Sequence, residues 1–339
     1  MVKVSPESQA LGTVSGSSSH HSEALLMDLT ALEQCLVTRS STRAVLIGRG
    51  NWDIKSTAPA GRPGAVFSSY IDRLQVLLMV EVYKYSEKQV LARKVGEFIV
   101  ECQERALAAD GNSTFTVAIS GGSLVNVLRA SLVDDDELSA KVKWSKWQIY
   151  FCDERLVPLD DPQSNYGAFK TAVLDPLSHH GDHLNLGPTV YAINEALVQQ
   201  GSHQNEKIAE EYASLLPAAG FDLLLLGCGP DGHTCSLFPG DAHRYLLEET
   251  SKTVAWCRDS PKPPSDRITF TLPVIARSRN IAFVAEGSSK QQIMHKIFDD
   301  RNVSLPTALI NASYGEKVRW YVDDDAFARV ADSSVLANR

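Results

Sequence analysis

Asp231 and His233 stand two residues apart in the stretch Gly227 to Pro239, which reads GCGPDGHTCSLFP. An imidazole changes charge near neutrality, so His233 suits general acid–base chemistry in water. Further along the chain, three cationic groups stand where an anion could be met. Arg155 closes the triplet Asp153-Glu154-Arg155, Arg267 follows a Pro-rich loop that carries Lys262, and Lys290 begins an amphipathic stretch. Ser120-Gly121-Gly122-Ser123 adds a turn whose main-chain N–H groups can receive an anion. Each feature also has a plain reading: a hydrogen-bonded turn histidine, a solvated charge run, surface cations and a linker turn.

The elements around these residues favour the chemical reading. Phe221 to Leu226 is a short apolar run bounded by Gly, as in strands buried on both faces of a parallel sheet. The Gly- and Pro-rich turn after it lies at a carboxyl strand end, where open α/β sheets bind ligands. Gly227, Gly229 and Gly232 match the dinucleotide fingerprint G-x-G-x-x-G. That reading is rejected, because Pro239-Gly240 would break the required helix and Asp231 would face the pyrophosphate.

Other strands follow the same plan. They are expected at Met79 to Tyr83, Phe115 to Ile119, Trp147 to Cys152, Thr253 to Cys257, Arg267 to Thr271, Ile281 to Ala285 and Trp320 to Val322. Ser86 is expected to cap a helix that buries Val90, Leu91, Val95, Phe98 and Ile99. Helices are also expected from Leu124, near Ala168 to Val173, from Asn194 to Leu216 along the surface, and from Ser288 through Ile297. A Lys in the first turn of that last helix sits badly with the helix dipole, which points Lys290 toward a bound anion. The alternation of strands and helices predicts an α/β fold with a parallel sheet.

Composition bounds the rest. The chain has 339 residues, 44% hydrophobic and 22% charged, with net charge -8. This balance disfavours nonspecific nucleic-acid binding. No apolar run is long enough to predict a membrane span. The cysteines at 35, 102, 152, 228, 235 and 257 form no C-x-x-C pair, which fits a reducing compartment and no zinc site. Residues 1–72 differ from the remainder: a Ser/His-rich tract at 15–22, a loop-like APAGRPG at 58–64, and one helical leucine pattern between them. They are expected to form a disordered extension. An organelle transit peptide should be poor in acids, and Glu7, Glu23, Asp28 and Glu33 argue against one.

Together, ISGGSLVNVL at 119–128, FCDERLVPLDDPQSNYG at 151–167, FDLLLLGCGPDGHTCSLFPG at 221–240, DSPKPPSDRITFTLP at 259–273 and FVAEGSSK at 283–290 resemble the 6-phosphogluconolactonase family. The resemblance implies a single domain at 73–339, a three-layer α/β sandwich with a mostly parallel, Rossmann-like sheet. It implies hydrolysis of 6-phospho-D-glucono-1,5-lactone to 6-phosphogluconate, the second step of the oxidative pentose phosphate pathway, in the cytoplasm. It implies no cofactor, no metal and no obligate protein partner. The carry-over makes His233 the catalytic residue, with Asp231 in support and Arg155 beside it. Ser120, Gly121, Gly122, Arg267 and Lys290 then resemble the phosphate-binding set, and Asp153 and Lys262 the sugar side. The chemistry is coherent: imidazole takes a proton from water, and Arg155 or a turn N–H receives the developing oxyanion. Two alternatives compete. A deaminase or isomerase of the same fold would use Asp153-Glu154, but its D-G-H should be followed by Ala-Phe-Asn-Glu rather than Thr234-Cys235-Ser236-Leu237. A non-enzymatic sugar-phosphate sensor would need a DNA-binding segment, which residues 1–72 do not supply.

Overall fold

The computed structural model of the chain describes residues 80–109, 114–179 and 187–337. The 1–72 extension, its leucine pattern and Cys35 lie outside them. Seven strands form one sheet in the order β1-β10-β9-β6-β2-β3-β5. They are β1 Glu81–Tyr85, β2 Phe115–Ile119, β3 Trp147–Phe151, β5 Thr189–Val190, β6 Leu223–Gly227, β9 Ile281–Ala285 and β10 Val318–Asp323. Every neighbouring pair is parallel. Leu223 to Leu226 are buried without interruption, as a central parallel strand requires. Apolar clusters pack on the two faces of the sheet, giving the three layers expected.

The strand order places the site. From β2 the chain winds outward through β3 to β5. It then returns to β6, beside β2, and winds the other way through β9 to β10. Connections therefore leave β2 and β6 in opposite directions, and a crevice opens between their carboxyl ends. Ser120 to Ser123 follow β2 and Cys228 to His233 follow β6, so both Gly-rich turns flank that crevice.

Several expectations shift. Asp153–Arg155, Val254–Cys257 and Arg267–Phe270 do not join the parallel sheet; as β4, β7 and β8 they form a separate antiparallel sheet, ordered β4-β8-β7. The loop 258–266 is too short for a crossover helix, so β7 and β8 must pair antiparallel. The chain changes sheet at Cys152, whose N–H donates to Ile119 O at 2.9 Å while its carbonyl accepts from Phe270 N at 2.8 Å.

The helix Lys88–Ala108 begins after Glu87, with no side-chain cap from Ser86. Its buried stripe runs through Leu91, Val95, Phe98, Ile99 and Cys102, and Val90, one residue off that stripe, is 40% exposed. The long helix expected at Asn194 to Leu216 is two helices, Glu195–Val198 and Asn205–Leu215. Gly201, at φ 103°, breaks it. Nor is the second one purely a surface helix: Tyr212 is buried and its hydroxyl accepts from Phe151 N at 2.8 Å. The helical run expected near Ala168 starts at Asn165, because the Ser164 side chain caps it by accepting from Gly167 N. β1 lies at the sheet edge, where Val82 bridges Leu336. No helix among the described residues is long and apolar enough to cross a membrane.

Candidate active site

One cleft of about 220 Å³ opens at the carboxyl ends of β2 and β6. Ser120, Gly121, Gly122, Asp153, Arg155, His233, Arg267 and Lys290 all line it. Asp231 and Lys262 stand behind His233: Lys262 Nζ lies 3.1 Å from His233 Nδ1 and 3.4 Å from Asp231 Oδ1. The structure thus brings together, in or beside one cleft, every residue assigned above to catalysis, phosphate or sugar. Cleft-lining residues that the sequence reading missed include Asn165, Cys228, Thr234 and Cys235.

The main sheet supplies one wall, built on backbone. In the β6 turn, Gly229 N–H donates to His233 O at 2.8 Å and Gly232 N–H to Gly229 O at 3.0 Å. A Cβ on Gly229 would overlap the His233 ring and the Asp231 carboxylate, so the turn can close only around glycine. Cys235 follows at φ 52°, a left-handed backbone that non-glycine residues resist. A Cβ on Gly121 would overlap the Asn165 side chain. Asn165 Nδ2 in turn donates to Asp153 O at 2.8 Å, so the β2 turn is clamped to β4. Nothing in the bare sequence marks Asn165, since its contact depends on where β4 and the β2 turn meet.

His233 Nδ1 and Asp231 Oδ1 share a very short hydrogen bond. Burial works to raise the Asp231 carboxyl. The hydrogen bond from His233 and the charges of His233 and Lys262 outweigh it and hold that carboxyl well below the usual carboxylate range. An ionised Asp231 is placed to accept the Nδ1 hydrogen, and in that tautomer a neutral ring would carry its lone pair on Nε2.

The antiparallel sheet supplies the other wall, built on side chains. Arg155 of β4 and Arg267 of β8 are directly opposite in the register and both reach the cleft. Like charges opposed across two strands destabilise a sheet. Arg267 is 3% exposed, and among the described residues it has no ion-pair partner. Burial pulls its guanidinium below the ordinary value. Its Nε donates to Pro264 O at 3.0 Å, and its Nη2 to Lys262 O at 2.9 Å and Pro263 O at 3.3 Å. Nη1 has only a long 3.5 Å contact with Ser236 Oγ and keeps donor capacity for the cleft. Arg155 Nη1 donates to Gln163 O, while its buried Nε has no hydrogen-bond partner among the described residues.

Lys290 arrives from the main sheet. The turn Ser288–Lys290 precedes the helix Gln291–Phe298, and the Asp323 carboxylate fixes it by accepting from Gly287 N at 2.9 and 3.0 Å. Burial lowers the Lys290 ammonium from its usual value. The hydroxyl of Ser120 is buried in the same cleft without a hydrogen-bond partner. Three cations therefore face one carboxylate, Asp153, in the cleft of a chain with net charge -8. Asp153 itself accepts from Ser236 Oγ at 2.8 Å.

Glu154 points the other way. Its carboxylate accepts from the backbone N–H of Arg155, Asn165 and Tyr166, each at 2.8 Å. Burial pushes it up to about 7 against those bonds. It fastens the start of the Asn165 helix and does not line the cleft.

A cleft that joins an imidazole–carboxylate pair to three cations has the groups that hydrolysis of an activated ester bearing an anion would call on. A family model described as glucosamine-6-phosphate isomerases/6-phosphogluconolactonase matches residues 86–320. Over 255 residues the chain is 54% identical to a Saccharomyces cerevisiae protein named 6-phosphogluconolactonase 4, covering 75% of this chain and 100% of that one. Over 250 residues it is 39% identical to a Bos taurus 6-phosphogluconolactonase, covering 71% and 90%. The solved 6-phosphogluconolactonase of Trypanosoma brucei matches with TM-score 0.60 and 25% identity, over 74% of this chain and 99% of that one. A monomeric glucosamine-6-phosphate deaminase shares the fold, with TM-score 0.58 and 16% identity over 74% and 100%.

Proposed function

The chain belongs to the glucosamine-6-phosphate isomerase/6-phosphogluconolactonase family, and we propose that it hydrolyses 6-phospho-D-glucono-1,5-lactone to 6-phosphogluconate. The observation that carries the reading is the pairing of His233–Asp231 with three cations facing a single carboxylate in one cleft. Family membership alone would leave open which sugar phosphate is used.

Nε2 of His233 takes a proton from water, which adds to the lactone carbonyl. The carbonyl oxygen gains charge as the tetrahedral adduct forms. Gly229 and Gly232 N–H are already spent inside their turn, so the cleft-lining guanidinium of Arg155 is the better oxyanion donor. The adduct collapses by expelling the ring oxygen, which takes a proton from the His233 imidazolium. The ester bond breaks and a carboxylic acid forms, with no acyl-enzyme. At the other end, Arg267 and Lys290 supply charge to the phosphate, and Ser120 with the Gly121-Gly122 turn supplies donors. Asp153 is left to order the sugar hydroxyls.

The deaminase alternative draws on the acid pair Asp153-Glu154, of which only Asp153 faces the cleft. The sensor alternative gains no observation in its favour. We place the reaction in the cytoplasm, as the second step of the oxidative pentose phosphate pathway, and assign catalysis to residues 73–339, with 1–72 dispensable.

Lactone hydrolysis by the purified chain, measured above its spontaneous background, tests the proposal. Acceleration that a chelator leaves unchanged is the expected result. Loss in chelator with rescue by zinc, or activity only on glucosamine 6-phosphate, would refute it. A chain lacking residues 1–70 should fold and turn over normally, and an inactive truncation would put part of the machinery in that segment.

A further inference from the structure

We propose that Lys262 is a positioning residue for the base: its ammonium opposes protonation of His233 and so keeps Nε2 free at neutral pH. The inference rests on the reading of His233 as the base.

Proton placement limits what Lys262 can do. In the tautomer that leaves Nε2 free, Nδ1 donates to Asp231, so Lys262 has no acceptor at Nδ1 although its Nζ is 3.1 Å away. It donates instead to Asp231 Oδ1, at 3.4 Å. Asp231 thus holds two donors, and the imidazole sits beside an ion pair rather than beside a lone carboxylate. A lone carboxylate would favour the imidazolium and spoil the base. The adjacent ammonium cancels most of that attraction.

The loop places this ammonium deliberately. Lys262 O accepts from Ser260 Oγ at 2.8 Å and from Arg267 Nη2 at 2.9 Å, and Lys262 N–H donates to Ser260 Oγ at 3.2 Å. The same buried arginine that faces the cleft therefore fixes the lysine backbone behind the base. One other cation bears on this pair, because Lys290 interacts with both Asp231 and Lys262. Lys290 enters from the end of β9, and Arg155, Arg267 and Asp153 face the cleft from the small sheet. Cys228 and Cys235 border the cleft as thiols, and Cys228 is pushed up to about 12 by burial. The ring of Phe238 stands between His233 and His243, and His243 is itself paired with Asp259.

Two measurements test this without confusing it with the reaction itself. The first is an NMR titration of the labelled His233 ring in unliganded protein, which needs no activity. Lys262→Met and Lys262→Gln should each raise the midpoint by about one pH unit, the size of one nearby charge screened by water. Lys262→Arg should hold it near the native value, and Asp231→Asn should lower it. The second is the pH profile of kcat/KM, whose acid limb should move by the same amount and in the same direction. A midpoint unchanged in both neutral variants, with KM raised instead, would overturn the inference and make Lys262 a substrate ligand. Failure of His233 as the base would show separately, as retained turnover in His233→Asn.

Discussion

The two walls of the cleft are built from different materials. The main-sheet wall is backbone: glycine turns after β2 and β6, closed so tightly that a methyl at 121 or 229 has no room. The small-sheet wall is side chain: Arg155 and Arg267 project from paired strands of ordinary geometry. A backbone wall is intolerant of shape and indifferent to charge, whereas a side-chain wall is the reverse. His233 belongs to the first wall by its turn, but its partner Lys262 comes from the loop next to the second.

His233→Asn should have the largest effect, cutting turnover by about 10² to 10⁴ with substrate affinity kept, the usual worth of a general base. Steady-state kinetics on a folded variant decide it, and near-native turnover would make the histidine a piece of turn architecture. Next, Arg267→Ala and Lys290→Ala should each lower kcat/KM by roughly 2–4 kcal/mol, on the scale of truncated charge pairs. Turnover should fall as well as affinity, because phosphate binding orients the lactone. Unphosphorylated gluconolactone should be a poor substrate for native enzyme and little affected by either change. Equal losses on both lactones would detach these residues from the phosphate.

Gly121→Ala probes the backbone wall. It should cost about 1–3 kcal/mol of stability, as overpacking does, read by denaturant unfolding. The loss should shrink when Asn165→Ala removes the overlapping side chain, and additive losses would mean that the clamp does not exist. The last effect leaves activity untouched and concerns Glu154, on the hidden side of the small sheet. It keeps its proton to about 7 in the folded chain against an ordinary 4.5. Its contribution is therefore fully present below pH 4.5 and is lost as pH rises through 7. Glu154→Gln should flatten that part of the stability–pH curve without moving the acid limb of activity.

How much of this was legible in the sequence follows the same division. β2 and β9 stand where their apolar runs predict, and the turns after β2 and β6 announce themselves by glycine. Those signals are local. In the small sheet, β7 and β8 read as ordinary strands and β4, Asp-Glu-Arg, reads as a charge run, and the deciding fact, a connection too short for a crossover, concerns pairing. Arg155 and Arg267 were both singled out as separate charges, yet their direct opposition exists only in the register. Asn165 was invisible for the same reason. Gly201 does not announce a helix break, because a leucine and acid pattern continues on both sides of it.

The opposed arginines have a thermodynamic consequence. Without a bound anion, Arg155 and Arg267 set like charges against one another, one of them buried, with Asp153 the one carboxylate lining the cleft among the described residues. The folded state is therefore under tension until an anion arrives, and occupancy and stability become linked quantities. Inorganic phosphate, which cannot react, should raise the melting temperature. A ligand at a hundred times its dissociation constant contributes about 2.7 kcal/mol by mass action alone. Sulfate should imitate it, chloride much less, and Arg267→Ala should melt at a temperature that no longer responds to either oxyanion. A crowded metabolite pool would then do more than feed the enzyme: it would keep the protein folded.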